Sequence, residues 1–128
     1  MKLYDFLKLT EADYDTCDTE YDACVTVCCI EEEDEDRDFY YKFCTEITKK
    51  AELVKQNGDI LIVDWSKLIR DNMEHFKLFT ENNWNYHYED DEDEFMYQWI
   101  KEIHYYMAGY VAEEVYEELV ELVDKLKA

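Results

Sequence analysis

The chain has 128 residues, of which 48% are hydrophobic and 16% aromatic, a composition that supports one buried core and does not fit a disordered acidic segment. Thirty-four acidic residues against 13 basic ones give a formal net charge of −21, whereas a magnitude of about 2–8 is ample for the solubility of a small domain. This charge argues against nucleic-acid phosphates and anionic membranes as partners, because like charges repel, and it favours a basic protein surface.

The first half of the chain combines helix and strand patterns. Residues 1–9 carry spaced apolar side chains that favour a short helix. In residues 21–30, valines alternate with cysteine and threonine, which predicts a strand. Residues 39–49 place a large apolar side chain at every fourth position, so we predict a helix that packs across a sheet.

Asn57-Gly58 is the strongest turn signal in the chain. It lies between an apolar-rich run and an alternating apolar run that follows it. Asn-Gly in that setting is typical of a tight β-hairpin. We therefore predict antiparallel strands at residues 51–56 and 59–64.

After the hairpin the apolar residues recur with a helical period to the end of the chain. The first stripe contains Trp65, Leu68, Ile69, Asn72, Met73, Phe76 and Phe79, the second Phe95, Trp99, Ile100, Ile103, Met107 and Tyr110, and the third Val111, Val115, Leu119, Leu122 and Leu126. Asp64 or Ser66 is suited to cap the first of these helices. The whole pattern predicts a single α+β domain over residues 1–128, with a three-stranded antiparallel sheet, four to five helices and a helical C-terminal half.

The negative charge is concentrated in two blocks and one helical row. The blocks consist of Glu31, Glu32, Glu33, Asp34, Glu35 and Asp36, and of Glu89, Asp90, Asp91, Glu92, Asp93 and Glu94. The row consists of Glu113, Glu117 and Glu121. Like charges four residues apart on a helix cost about 0.2–0.5 kcal/mol per pair. Because neither block contains a basic residue, we predict that these acids contact the partner.

No motif predicts catalysis, a cofactor or a dedicated metal site. The acidic blocks lack the glycine that an EF-hand loop places at its sixth position. The three histidines form no pair with metal-ligand spacing. Ser66, the only serine, lies outside any nucleophile-elbow motif. We therefore expect a protein that is not an enzyme and that has no cofactor and no dedicated metal site, and the sequence leaves loose binding of divalent cations by the acidic blocks open.

Cysteine usage and the absence of targeting signals bear on the compartment. The five cysteines are odd in number and have no zinc-ribbon spacing, which indicates a reducing environment. No apolar run approaches the roughly 18 residues of a membrane helix, and the first residues lack the basic and apolar regions of a signal peptide. We expect a cytoplasmic protein.

Residues 76–103 carry an ordered series of aromatic and acidic residues. The series runs Phe76, Phe79, Trp84-Asn85, Tyr88-Glu89-Asp90 and an acidic run that ends at Phe95. It resembles the C-terminal half of small, acidic, phage-encoded anti-CRISPR proteins that inhibit type II-A Cas9. The resemblance implies an α+β fold with a three-stranded sheet, and an acidic surface that occupies the Cas9 site where an arginine pair reads the protospacer-adjacent motif. Carried over to this chain, it assigns the contact to residues 89–94.

Two functions that use the acidic surface to bind a protein remain open, and an acidic metal-dependent enzyme is a third hypothesis. The first is a DNA mimic that inhibits a nucleic-acid-binding defence protein, above all a Cas9-type effector, in the cytoplasm of a bacterial host. The second is an acidic interaction or immunity-type module for another basic partner, such as a nuclease toxin or a restriction enzyme. Both use the same electrostatics, and the sequence leaves the oligomeric state open.

Overall fold

The computed structural model describes residues 1–10, 14–21, 24–27, 38–84, 91–107 and 113–127. The helices are α1 (Leu3–Thr10), α2 (Asp38–Lys50), α3 (Trp65–Asp71), α4 (Met73–Asn83), α5 (Glu92–Met107) and α6 (Tyr116–Lys125), and a 3-10 turn at Glu113–Val115 precedes α6. The strands are β1 (Tyr14–Asp18), β2 (Cys24–Val27), β3 (Leu53–Asn57) and β4 (Ile60–Val63). The predicted α+β class is confirmed, and so is the helical character of the C-terminal half.

The four described strands form one sheet in the order β2-β1-β4-β3. β1 pairs antiparallel with β2, and β3 pairs antiparallel with β4, but β1 and β4 run parallel. The prediction of a purely antiparallel sheet is therefore wrong. The error arises from β1, a strand that was not predicted. β1 lies between the hairpin and the strand expected at residues 21–30, and it runs parallel to β4.

The sequence pattern did not predict β1 because this strand is rich in polar residues. Asp15 and Asp18 are residues that strands usually avoid, yet Thr16 is fully buried and Asp18 is 8% exposed. Both Asp18 oxygens accept backbone hydrogen bonds, which offsets the cost of burying that carboxylate. A central strand of this kind has no alternating apolar pattern by which it can be recognised.

The predicted hairpin is confirmed, with its turn displaced by one residue. Asn57 pairs with Ile60 as the last strand position, so Gly58 and Asp59 form the turn. Gly58 has a φ of 66°, a left-handed conformation that glycine adopts without a steric penalty. The glycine therefore fixes the turn, and the asparagine closes it.

The stripe predicted as one helix over residues 65–79 is two helices. Asn72, which is buried, interrupts it: its side-chain amide donates to the Leu68 carbonyl at 2.8 Å, and its Oδ1 accepts the Lys127 backbone N–H at 2.9 Å. A side chain that bonds the backbone in this way competes with helix continuation. The described residues therefore contain six α-helices, one more than the predicted maximum.

The core is one hydrophobic cluster to which α1, the hairpin and α2–α6 all contribute. Trp65 and Trp99 are among its largest fully buried side chains. The Trp99 ring packs edge-on against Phe76 at 4.6 Å between centroids, and its Nε1–H donates to Thr80 Oγ1 at 2.9 Å. The aromatic residues of the two predicted stripes therefore meet in the core. None of the described helices is long and apolar enough to cross a membrane.

Candidate functional site

Part of the predicted contact set lies at the start of α5. Asp91, Glu92, Asp93 and Glu94 are all exposed there, where negative charge interacts favourably with the helix dipole. Glu117 and Glu121, two members of the predicted helical row, are exposed on α6. The structure therefore presents these acids to solvent on two separate helices.

The rest of the predicted set falls elsewhere. Residues 31–36, Glu89 and Asp90 lie outside the described residues. Glu113 belongs to the 3-10 turn that precedes α6, and its side chain is not described. The candidate site is accordingly built from the acids of α5 and α6.

Asp91 determines where α5 begins. Its Oδ1 accepts the Glu94 backbone N–H at 3.0 Å, and its carbonyl accepts the Phe95 N–H at 3.1 Å. A side-chain oxygen that accepts from the third residue of a helix is the usual N-cap interaction. Asp91 therefore has a structural task in addition to its charge.

Glu92 and Asp93 are held by a polar cluster centred on Arg70, which we call the Arg70 cluster and define as Glu20, Tyr21, Arg70, Glu92 and Asp93. The guanidinium pairs with Glu20 Oε2 at 2.6 Å and with Glu92 Oε1 at 3.2 Å. It also donates to the Tyr21 hydroxyl at 3.0 Å, and that hydroxyl donates to Asp93 Oδ1 at 2.9 Å. One arginine thus joins acids from α5 to a turn that is distant in sequence.

The Arg70 cluster raises the pKa of two of its members, Tyr21 and Arg70. Burial and the hydrogen bond to Asp93 raise the pKa of Tyr21 to about 12. The hydrogen bond to Glu20, with help from Glu92, raises the pKa of Arg70. Tyr21 is therefore a neutral donor and Arg70 a permanent cation at physiological pH.

The β1–β2 turn brings Glu20 and Tyr21 to this cluster because Asp18 anchors it. Asp18 Oδ1 accepts the backbone N–H groups of Glu20 at 2.8 Å and Tyr21 at 3.0 Å. Its Oδ2 accepts the Ser66 N–H at 2.7 Å in the first turn of α3, the helix that carries Arg70. The same carboxylate therefore fixes both sides of the cluster.

The start of α3 confirms one of the two predicted caps. The side chain of Asp64 accepts the Lys67 backbone N–H at 3.4 Å and the Thr19 hydroxyl at 3.1 Å. Ser66, the other candidate, is a buried residue inside the helix. Asp64 therefore gives α3 its start and a second connection to the β1–β2 turn.

Three members of the Arg70 cluster were not anticipated. Glu20 and Tyr21 stand outside the dense acidic blocks, and Arg70 is one of only two arginines in a strongly acidic chain. The scarcity of arginine is the one sequence signal that could have drawn attention to Arg70. Its partners depend on strand β1 and on the β1–β2 turn, which the sequence pattern did not predict.

The cysteines differ from expectation at one position. Cys17 is disulfide-bonded, whereas the cysteine pattern was interpreted as that of a reducing environment. Cys44 is buried, and its thiol donates to the Met107 carbonyl oxygen at 3.9 Å. Cys17 therefore does not fit the expectation of a reducing compartment.

Among the described residues, no group of three or more His, Cys, Asp or Glu side chains is arranged to hold a metal ion. The chemistry that the described site offers is electrostatic. It presents fixed, exposed carboxylates that can accept hydrogen bonds from cationic side chains.

No protein-family model, curated protein sequence or solved structure matches this chain.

Proposed function

We propose that the chain inhibits a nucleic-acid-binding bacterial defence protein of the Cas9 type by acting as a DNA mimic in its basic DNA-binding cleft. The observation that carries the proposal is the Arg70 cluster together with the Asp91 cap. Between them they hold exposed carboxylates at the start of α5 in fixed positions. These are acids to which the resemblance to anti-CRISPR proteins also assigns the contact.

Fixed carboxylates suit a mimic better than mobile ones. A side chain that is ordered before binding loses less conformational entropy when the complex forms. Glu92 and Asp93 each give one oxygen to an internal donor, and a carboxylate has about four lone-pair sites, so capacity for a partner remains. Internal pairing therefore orients these acids and leaves them able to accept hydrogen bonds from a partner.

The net charge supports the same function over a longer range. A formal charge of −21 attracts a basic cleft before contact and accelerates the encounter. In Cas9-type effectors, arginines read guanines of the protospacer-adjacent motif in the major groove. Carboxylates held near those arginines compete with the DNA for the same donors.

The test is inhibition of guided DNA cleavage by a purified type II-A Cas9–guide complex. The variant combines Asp91→Asn, Glu92→Gln and Asp93→Asn, since asparagine still caps a helix and all three changes keep side-chain size. We expect the wild-type chain to inhibit and this variant to inhibit at least about tenfold more weakly, a loss of roughly 1.4 kcal/mol.

The matched control combines Asp59→Asn, Glu74→Gln and Glu81→Gln, which remove the same charge at exposed positions outside the site. It should inhibit like the wild type. Equal loss in both variants would mean that only net charge matters and that the site is misplaced. If the wild-type chain leaves Cas9 cleavage unchanged, Cas9 is not the target, and the same assay with a restriction endonuclease or a nuclease toxin addresses the other basic partners.

A further inference from the structure

A groove runs between α4 and α6, which pack against each other. Phe79 and Leu122 line it and are each only 5% exposed, so they form its base. Leu78, which is 52% exposed, forms an apolar flank. The groove therefore offers apolar surface in a concave setting on an otherwise highly charged molecule.

Side chains that carry hydrogen-bond acceptors border this apolar base, together with His75 and Lys125. Glu118 and Glu121 from α6 and Asn82 from α4 line the groove and are exposed. Glu118 and Glu121 are three residues apart, which places them side by side on the helix. Carboxylate and amide oxygens accept hydrogen bonds, so the rim is suited to a donor with several N–H groups.

These carboxylates differ from those of α5 in their surroundings. Asp91 caps its helix, Glu92 and Asp93 belong to the Arg70 cluster, and Glu94 accepts from Gln98 at 3.1 Å. In the described part of the chain, Glu118 and Glu121 form no ion pair, although Lys125 also lines the groove. Their acceptor capacity is therefore available to a partner.

We propose that the α4–α6 groove is a subsite for an arginine side chain of the basic partner. The proposal rests on the proposed function, and it adds a second contact region away from the start of α5. Arginine fits the lining better than lysine does. Its planar guanidinium can donate to two acceptors at once and is weakly hydrated enough to lie on apolar surface, whereas the ammonium of lysine is compact and strongly hydrated.

The test uses an acetylated and amidated tetra-arginine peptide as the probe and the matching tetra-lysine peptide as its control. Binding is followed by NMR, through the Asn82 side-chain amide and the methyl groups of Leu78 and Leu122. We expect saturable shifts at these groups with the arginine peptide and binding at least about threefold weaker with the lysine peptide, a difference of roughly 0.6 kcal/mol.

Two pairs of variants separate the groove from general attraction. Glu118→Gln with Glu121→Gln should weaken arginine-peptide binding about tenfold, whereas Glu74→Gln with Glu114→Gln removes the same charge from exposed positions outside both the groove and the candidate site and should weaken it less than about twofold. Leu78→Ser should also weaken binding, while Leu9→Ser, at a residue 74% exposed on α1, should not. The leucine pair leaves the charge unchanged and stands by itself if a glutamine variant fails to fold.

Equal effects of the two glutamate pairs, or equal binding of the two peptides, would overturn the proposal. Its failure is distinguishable from failure of the proposed function. The peptide measurement needs no Cas9. If the chain inhibits Cas9 but shows no shifts at Leu78 or Asn82, the groove proposal is wrong and the proposed function is unaffected. If the chain binds the arginine peptide in the groove but inhibits no nuclease, the proposed function is wrong and the groove still binds arginine.

Discussion

Arg70 orients two of the acids at the start of α5, Glu92 directly and Asp93 through the Tyr21 hydroxyl. It contacts two carboxylates and the Tyr21 hydroxyl. Exposed ion pairs contribute about 0.2–1 kcal/mol each, and several together contribute more than an isolated pair. We expect Arg70→Gln to lower the free energy of unfolding by about 1 kcal/mol, measured by urea denaturation.

Lys67→Gln is the matched control for Arg70→Gln. Lys67 lies on the same helix, and within the described residues its one ion pair is with Asp71, at 3.3 Å between exposed side chains. Its removal changes the net charge equally and should cost about 0.3 kcal/mol. Equal destabilisation by the two substitutions would show that Arg70 acts through net charge and not through its contacts.

Glu102 behaves differently from the exposed acids. It is half-buried on α5, and burial raises its pKa above the ordinary value of 4.5. The folded chain therefore holds this proton more tightly than the unfolded chain. The resulting stabilisation is fully present below pH 4.5 and is lost as the pH rises through the raised value.

Glu102→Gln should therefore raise the thermal midpoint at pH 7, and the gain over wild type should shrink toward pH 4. Glu81→Gln, at an exposed position of α4, removes the same charge without relieving burial and should give a smaller gain at pH 7. Thermal unfolding followed by circular dichroism at both pH values measures these shifts. Equal midpoints for the two variants at pH 7 would contradict the burial of Glu102.

At the scale of elements, apolar periodicity and turn chemistry are what the sequence made predictable. The hairpin was found because glycine is needed at the turn, and α5 because its buried residues recur with a helical period. β1 was missed because its buried Asp18 is stabilised by backbone groups that are distant in sequence. The break at Asn72 was missed for a similar reason, since Asn72 accepts a bond from Lys127.

The N-cap of α5 gives a prediction at this scale. Asp91→Ala removes the acceptor for the Glu94 N–H and should lower the free energy of unfolding by about 1 kcal/mol. Asp91→Asn removes the same charge but keeps a capping oxygen, so it should cost much less. Chemical denaturation of the two variants compares them directly, and similar losses would show that Asp91 acts through charge alone.

For the whole molecule, composition predicted the electrostatic character but not the arrangement of the site. The concentration of acids around residues 89–94 is visible in the sequence. That the acids of α5 meet Arg70 and Tyr21 depends on packing between α3, the β1–β2 turn and α5. That Glu118 and Glu121 border a groove depends on how α6 packs on α4. Contacts between elements therefore decide which carboxylates are oriented and which remain available.

The proposed function requires that this acidic surface takes the place of DNA on a basic protein. The most direct measurement is displacement of a fluorescent duplex bearing the protospacer-adjacent motif from a type II-A Cas9–guide complex, by fluorescence anisotropy at low and at physiological salt. We expect the wild-type chain to displace the duplex, with an association rate that falls as salt is added. A duplex that stays bound at saturating concentrations of the chain, even at low salt, would contradict the claim.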